Sequence, residues 1–386
     1  MKFATRALRT PPAAHAPYHP VSPPLHLSTT FHRAEDGGYA GDMVYSRADN
    51  PNRRALEQSL ADLCGGQRAY AFGSGMAAIQ AVFQSLATGA HVLIPDDVYY
   101  NVRLLLDKVY APWGLTYAVV DMTDLASVER YLKEQPTELV WVESPSNPQL
   151  KVSDIAAIAQ LTHRHGARLA VDNTWLTPVL CRPLELGADY VIHSTTKYFG
   201  GHSDVLGGAL ILAKDDGEEG VAGRFAAIQH LGGAVPAPFD AWLVSRGLQT
   251  LSLRVQAQST TALALARYLE AHPAIERVNY PGLSSHPAHE LIQTQCEGGY
   301  GGMLSVLVRG GAAAARSVAN TLKLFTQATS LGGVESLVEH RKSVEGPDSP
   351  TPDSLLRLSV GLEAAEDLIA DWEAALASAE GTGTTA

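Results

Sequence analysis

The sequence predicts an α/β fold: a mostly parallel sheet covered on both faces by helices, with an extended arm before it and a smaller α/β domain after it. Three observations carry this expectation. Between residues 49 and 240, short apolar runs alternate with helical patterns, the order that builds a parallel sheet. Glycines such as Gly65-Gly66 and Gly73-Ser74-Gly75 punctuate the joints. Near Phe239 the alternation gives way to a long helical stretch followed by shorter strands, which marks a second unit.

Each element has a local reason. Residues 1–48 are rich in Pro, His and Thr with little periodicity, so they read as an arm. HLSTTF and MVYSR within it carry β-formers and aromatics, so the arm is expected to pack on something. Helices are expected over Asn52–Leu63, Met76–Leu86, Asn101–Tyr110, Leu125–Glu134 and Asp154–His165. In the last of these, Ile155, Ile158, Ala159 and Thr162 recur at helical spacing. Strands are expected over Ala69–Phe72, Val92–Pro95, Leu115–Val120 and Leu139–Val142, with two more ending at Asp172 and Thr195. Gly207–Leu212 is expected to add an antiparallel edge. Residues 49–240 form the large domain on this reading.

The second domain, 241–380, starts with one long helix, open to a kink, over Ala241–Ala271. Strands follow over Ile275–Tyr280, Met303–Val308 and Leu355–Val360. A final helix over Ala364–Ala377 places Leu368, Trp372, Ala375 and Leu376 on one face. The GTGTTA end, 381–386, reads as a disordered tail. There is no internal repeat.

Composition narrows the class. The chain has 386 residues, 46% hydrophobic and 18% charged, ordinary for an enzyme with real cores. A formal net charge of −11 argues against nucleic acid and anionic membranes as partners. No apolar run is long enough to span a bilayer, and MKFATRALRTPP lacks the apolar stretch of a signal peptide. Cys64, Cys181 and Cys296 are scattered, with no CxxC pair. That set fits a reducing cytoplasm better than a disulfide scaffold or a metal site.

The chemistry concentrates in HSTTKYFGGHSD, residues 193–204. Lys197 follows the apolar run Tyr190-Val191-Ile192 and the hydroxyl residues Ser194, Thr195 and Thr196. A lysine after a strand is by default a solvated loop residue. Upstream, however, Asp172 closes another apolar run, Arg168–Val171, and lies 25 residues before Lys197, about one βα unit. Parallel neighbouring strands would bring both to one sheet edge, where α/β ligands bind. A lysine among apolar walls is suited to Schiff-base chemistry. A carboxylate nearby can hold a pyridine nitrogen protonated, and the hydroxyls can bond a phosphate. Together they point to pyridoxal 5′-phosphate (PLP). Gly75 and Met76 open a helix, where free N–H groups favour a phosphate, although Ser74 there is equally a simple cap.

Taken together, YSRADNPNRRALE, AFGSGMAAI, PDDVYYN, VESPSNPQLKVSDI, VDNTW, HSTTKYFGGHSD, SLGGVESLVEH and LLRLSVGLE resemble the Cys/Met-metabolism family of PLP enzymes. That group includes cystathionine γ-synthases, cystathionine γ- and β-lyases and methionine γ-lyases, and the matching stretches run through nearly the whole chain. The resemblance implies an aminotransferase-like (fold type I) large domain, a small C-terminal domain and an arm reaching a neighbouring subunit. It implies a homotetramer, built as a dimer of dimers with shared active sites. By the same resemblance Tyr99 stacks on the cofactor ring, Asn147 bonds its 3-oxygen, and Tyr45 and Arg47 reach the phosphate from the partner subunit. Arg357 holds the substrate α-carboxylate, with Ser330 contributing through its backbone. Ser194 and Thr196 join Gly75 and Met76 at the phosphate.

The implied activity is a carbon–sulfur lyase or transsulfuration enzyme acting on cystathionine, by γ- or β-elimination. Synthesis of cystathionine from an O-acylated homoserine is the close alternative. An aminotransferase and an inactive PLP-fold binding protein stand further back. The signals for β against γ are mixed. Thr329 stands where γ-specific members commonly carry Glu, and Trp175 looks more like some β-lyases. SPSNP and GVESLVEH look like γ-type members. EHRKSVEGPDSP departs from the common HPA…MTHAS version.

Overall fold

The computed structural model describes residues 1–9, 21–347 and 349–382. The chain begins with a short helix, α1 (Phe3–Ala7), where the sequence suggests only an arm. Phe3 and Ala7 lie one helical turn apart and pack on the core cluster below α2, while Arg6 donates to the Asp62 carbonyl (2.7 Å). Residues 10–20 of the arm lie outside the described residues. From residue 21 the arm runs extended, held by Asn52 and Trp242 side chains donating to the Pro24 and Pro23 carbonyls.

The large unit then alternates as its pattern dictates. α2 (Pro51–Cys64) is capped by the Asn50 side chain and ended by Gly65 at φ 74°. There follow β1 (Arg68–Phe72), α3 (Gly75–Gln84), β2 (His91–Pro95), α4 (Tyr100–Leu105), β3 (Thr116–Val120), α5 (Leu125–Glu134), β4 (Leu139–Glu143), α6 (Ile155–Arg164), β5 (Arg168–Asp172), α7 (Thr177–Leu180), β6 (Tyr190–His193), β7 (Gly208–Leu212) and α8 (Val221–Gly232). After α4 the helix widens into a π turn over Leu106–Tyr110 and tightens over Ala111–Trp113.

These strands form one seven-stranded sheet in the order β1-β7-β6-β5-β4-β2-β3. β7 is antiparallel, as expected, but it is not an edge. It pairs with β1 on one side and β6 on the other. All five of its residues are buried, so it carries none of the charge or exposure that protects an edge strand. Along β4, Val140 and Val142 face one core cluster while Leu139 and Trp141 face the other, the alternation of a sheet covered on both sides.

The remaining elements are α9 (Pro238–Leu248), α10 (Leu251–Ala271), β8 (Ile275–Asn279), α11 (His289–Gln295), β9 (Met303–Val308), α12 (Gly311–Thr321), β10 (Thr326–Gln327), β11 (Leu337–His340), α13 (Arg341–Glu345), β12 (Leu355–Ser359) and α14 (Ala365–Thr382). The long helix expected over Ala241–Ala271, with room for a kink, is two helices. Gly247 abuts the Phe199 and Gly200 carbonyls with no room for a side chain, and the chain breaks after Leu248. A five-stranded sheet, β10-β11-β12-β9-β8, packs against α10, α12 and α14 around Leu265, Leu358 and Trp372. Of the expected tail, Gly381 and Thr382 close α14, and 383–386 lie outside the described residues. No described helix is long and apolar enough to cross a membrane.

Candidate active site

The parallel strands β4, β5 and β6 end side by side, with Glu143 registered against Asp172 and Asp172 against Ile192. A cavity of about 330 Å³ opens there, between the start of α3 and the 329–331 loop of the small unit. The sheet edge at the strands' carboxyl ends is where an open α/β fold places a ligand.

Lys197 sits in the turn after β6. That turn is closed by Gly200 N–H to the Thr195 carbonyl and Gly201 N–H to the Lys197 carbonyl. Gly201 is left-handed (φ 73°) and lies so close to the Arg254 guanidinium that a Cβ would overlap it. Arg254, from α10, donates to the Tyr198 carbonyl at 2.7 Å and pins the turn from behind. The Lys197 amine lines the cavity and donates to Ser330 Oγ at 2.9 Å. Burial first, then the Arg357 charge, lowers its pKa to about 8.

At the other end, Ser74 caps α3 by accepting from Ala77 N–H. The Gly75 and Met76 N–H groups have no protein acceptor among the described residues. Gly75 is needed for space, since a Cβ would stand 2.8 Å from Ser194 Oγ. Ser194 and Thr196 both line the cavity. The Thr196 hydroxyl is already paired with Gly207, donating to its carbonyl and accepting from its N–H.

Asp172 Oδ1 accepts from Thr174 N–H at 2.9 Å. Glu143, which the sequence reading did not single out, lies beside it, accepting from Tyr99 N–H and Trp141 Nε1. Both carboxyls are pushed up. For Glu143 the causes are burial and then the Asp172 charge; for Asp172 it is burial.

The substrate-facing wall is a chain of buried charges. Arg357 donates to Asn147 Oδ1 (3.2 Å), the Ser330 carbonyl (3.4 Å) and Glu339 Oε2 (2.7 Å). Glu339 Oε2 also takes Arg341 Nη1 (2.6 Å), and its Oε1 takes the Thr329 hydroxyl (2.5 Å). Burial pushes Glu339 up, but Arg357 and its other partners hold it below the usual range. Arg357 itself is lowered to about 10, because burial next to a second guanidinium outweighs its carboxylate partner. Both ends of the pair stay charged at neutral pH. Ser330 adopts φ 135°, a strained value for a non-glycine residue, between the Lys197 amine and Arg357.

Of the residues singled out from sequence, Gly75, Met76, Tyr99, Asn147, Asp172, Ser194, Thr196, Lys197, Ser330 and Arg357 all line this cavity. Tyr45 and Arg47 do not. Arg47 is exposed, donates to the His230 carbonyl and lies 5.8 Å from the Tyr45 ring centre.

The pattern of the Cys/Met metabolism PLP-dependent enzyme family matches residues 4–377. The chain belongs to that family. It is 46% identical to the cystathionine γ-synthase of Mycobacterium tuberculosis, over 97% of this chain and 96% of that one. It is 42% identical to the cystathionine γ-lyase of Dictyostelium discoideum, over 92% of each. The crystal structure of cystathionine γ-synthase from Xanthomonas oryzae pv. oryzae, in complex with aminoacrylate and cysteine, superposes with a TM-score of 0.94 at 36% identity, covering 99% of both chains.

This Cys/Met-metabolism enzyme is therefore PLP-dependent, and the cavity suits the group. One end offers the free N–H groups of Gly75 and Met76 to a phosphate. The middle offers an amine of lowered basicity, and the floor offers the Asp172 carboxylate. Three residues of the site and its wall escaped the sequence reading. Glu143 occupies the strand-end position next to Asp172, the same signal that found Asp172. Arg341 and Glu345 stand four residues apart in EHRKSVEG, a spacing that pairs them on a helix.

Proposed function

We propose that this enzyme performs replacement at Cγ of an O-acylated homoserine, with cysteine as the incoming thiol, to form cystathionine. The observation that carries the reading is Lys197: one mostly buried amine set between the Asp172 floor and the Ser330–Arg357 wall. Chemistry at Cγ needs a base that serves both Cα and Cβ, and an amine with a pKa of about 8 exchanges protons readily near neutrality. The higher identity to a γ-synthase than to a lyase supports replacement over elimination.

Bound PLP supplies the electron sink that acidifies the substrate's Cα–H and, after that, its Cβ–H. Asp172 is the group placed to hold the ring nitrogen protonated. Gly75, Met76 and Ser194 offer donors to the phosphate, with Thr196 joining if its bond to Gly207 opens. Arg357 takes the α-carboxylate through N–H groups not used by Asn147, Ser330 or Glu339. Asn147 keeps its amide N–H₂ for the cofactor oxygen, since its Oδ1 faces Arg357. The Tyr99 hydroxyl accepts from Asn101 Nδ2 (2.8 Å), which leaves its own proton to donate across the cavity.

Elimination from cystathionine is the second reading, favoured by one feature: a threonine, Thr329, tied to Glu339, at the position where γ-specific members commonly carry Glu. One assay separates the readings. The PLP-loaded protein is given cysteine with an O-acylated homoserine, and separately cystathionine. Condensation to cystathionine is expected to be the faster reaction. Robust cleavage without condensation would replace the synthase reading, with 2-oxobutyrate and cysteine marking γ-elimination and pyruvate and homocysteine marking β-elimination.

The working unit on this reading is a dimer or a dimer of dimers with shared sites. Arg47 is solvent-exposed on its own chain and bonds the His230 carbonyl, and Val44, Tyr45 and Leu231, neighbours of these two residues in sequence, expose apolar surface. Mixing two inactive variants tests this. Lys197→Ala keeps the arm arginine, and Arg47→Ala keeps the lysine. Reassembled mixtures should recover activity that neither parent has, because one site per mixed dimer carries both groups. Mixed dimers proven by two tags yet inactive would refute the trans role of Arg47. We place the enzyme in the cytoplasm, where the three buried, unpaired cysteines stay reduced.

A further inference from the structure

We propose that Arg53, a buried arginine outside the cavity, is the positioning residue that aims Arg47 at the cofactor phosphate of the partner subunit. The inference deepens the reading of Arg47 above and rests on it. Arg53 lies in the first turn of α2 and is 2% exposed. The carboxylates four residues away on either side are too distant for a direct hydrogen bond: Asp49 Oδ1 at 3.9 Å and Glu57 Oε1 at 3.8 Å. Glu57 is turned to other partners, accepting from Ala71 N–H (2.8 Å) and Gln229 Nε2 (2.7 Å). The Arg53 guanidinium directs its donors at backbone instead. Nη1 donates to the Ser46 carbonyl (3.0 Å) and the Arg47 carbonyl (3.3 Å), and Nη2 to the Ala48 carbonyl (2.5 Å). Three consecutive carbonyls converge on one cation.

Those carbonyls belong to the turn that carries Arg47. The Ala48 and Asp49 N–H groups donate to the Tyr45 carbonyl (2.9 and 3.0 Å), and Ser46 N–H donates to the Thr29 carbonyl (2.8 Å). With the carbonyls drawn inward to Arg53, the Arg47 side chain leaves the turn on its exposed side and reaches the His230 carbonyl at 2.7 Å. A buried guanidinium is costly unless its donors are met, and an apolar side chain could fill the space under the turn without that demand. What an apolar side chain cannot do is fix the direction of three peptide groups at once, which a rigid planar fork does. An arginine that must meet an anion held by another chain depends on that direction, because ordering a loose turn at the moment of contact weakens the contact. Arg53 is not among the residues lining the Lys197 cavity, so its influence on the cofactor runs through Arg47.

Lysine-bound cofactor absorbs visible light, so titration with PLP reads its apparent Kd without turnover. R47A should raise that Kd about tenfold, the scale of one charge-assisted pair. R53M should reproduce most of the loss, and R47A/R53M should stay within about twofold of R47A, because both changes act on one contact. R53K serves if R53M does not fold: it keeps the charge but lacks the fork, and should also weaken PLP. Hybrid dimers purified through two tags then show which chain's site is affected. In an R53M/K197A hybrid the lysine-bound absorbance comes only from the cavity of the R53M chain, which meets the intact arm of its partner. Its Kd should return to the wild-type value. A Kd still as weak as that of R53M alone would mean that Arg53 acts within its own chain, and would overturn the proposal. So would an Arg53 variant that binds PLP as the wild type does, or losses that add in the double variant. An R47A/K197A hybrid keeps the two ideas apart. If it recovers tight binding and the R53M hybrid does not, the positioning role alone fails; if it stays weak, the trans role of Arg47 falls and this proposal with it.

Discussion

Replacing Lys197 by alanine is expected to abolish turnover and the visible absorbance of lysine-bound cofactor together. The amine is the cavity-facing nitrogen nearest Ser330, and burial has already brought its pKa down to about 8. A sizeable neutral fraction is therefore present at slightly alkaline pH, which is the form that attacks an aldehyde. The same nitrogen is the base for the substrate's carbon acids, a role worth about 10²–10⁴-fold by itself. Losing covalent anchoring as well should push the defect to the upper end of that range or past it. The phosphate cradle at α3 does not involve the lysine, so the variant should still retain PLP on a desalting column. A Lys197→Ala protein that keeps both the absorbance and the activity would mean that the cofactor lysine lies elsewhere.

Asp172→Asn should cost about 3 kcal/mol of barrier stabilisation, roughly a hundredfold in kcat, while PLP stays bound. Asp172 and Glu143 are adjacent across β5 and β4 in a low-dielectric floor. Two such carboxyls cannot both ionise cheaply, and burial raises both. A cationic ring nitrogen above Asp172 restores its charge; an amide in its place cannot hold that nitrogen protonated. The sign of the stability effect is opposite. Asp172 has a raised pKa in the folded protein, so it opposes folding increasingly as pH rises above the ordinary carboxylate range toward that raised value. Cofactor-free Asp172→Asn should then melt no lower than the wild type at neutral pH. Near-normal kcat in a PLP-loaded variant would remove Asp172 from the reaction.

What could be read from the chain and what could not divide along a physical line. Lys197, Asp172 and the Gly75 cradle stand where a regular element ends, and the ends of parallel strands converge whatever the rest of the fold does. β7 was legible as an antiparallel strand but not as an interior one, because GALIL looks the same in either place and only pairing with β1 and β6 decides. The break after Leu248 has no proline to announce it. It lies next to Gly247, which meets the backbone of the Lys197 turn, a contact with a distant segment. The Arg357–Glu339–Arg341–Glu345 chain was half visible. Arg357 came from a matched stretch, whereas Arg341 acquires meaning only once β11 and α13 bring it to the cavity wall. Arg47 was found on the arm, and its own chain leaves it outside the cavity.

The place of β1 at the sheet's edge bears on how the protein is made. β1 has one strand partner, β7, and Arg68 pairs with Leu212, about 140 residues later in synthesis. At about 5–20 residues per second on the ribosome, β1 therefore waits roughly 7–30 s before that strand exists. Throughout that interval the nascent chain carries RAYAF with an unpaired edge, and the α3 cradle next to it lacks Ser194 and Gly208. The lysine arrives in the same stretch that closes the edge. A growing polypeptide of this sequence thus keeps a bare strand edge and an unfinished cofactor cradle until most of the large sheet has been translated.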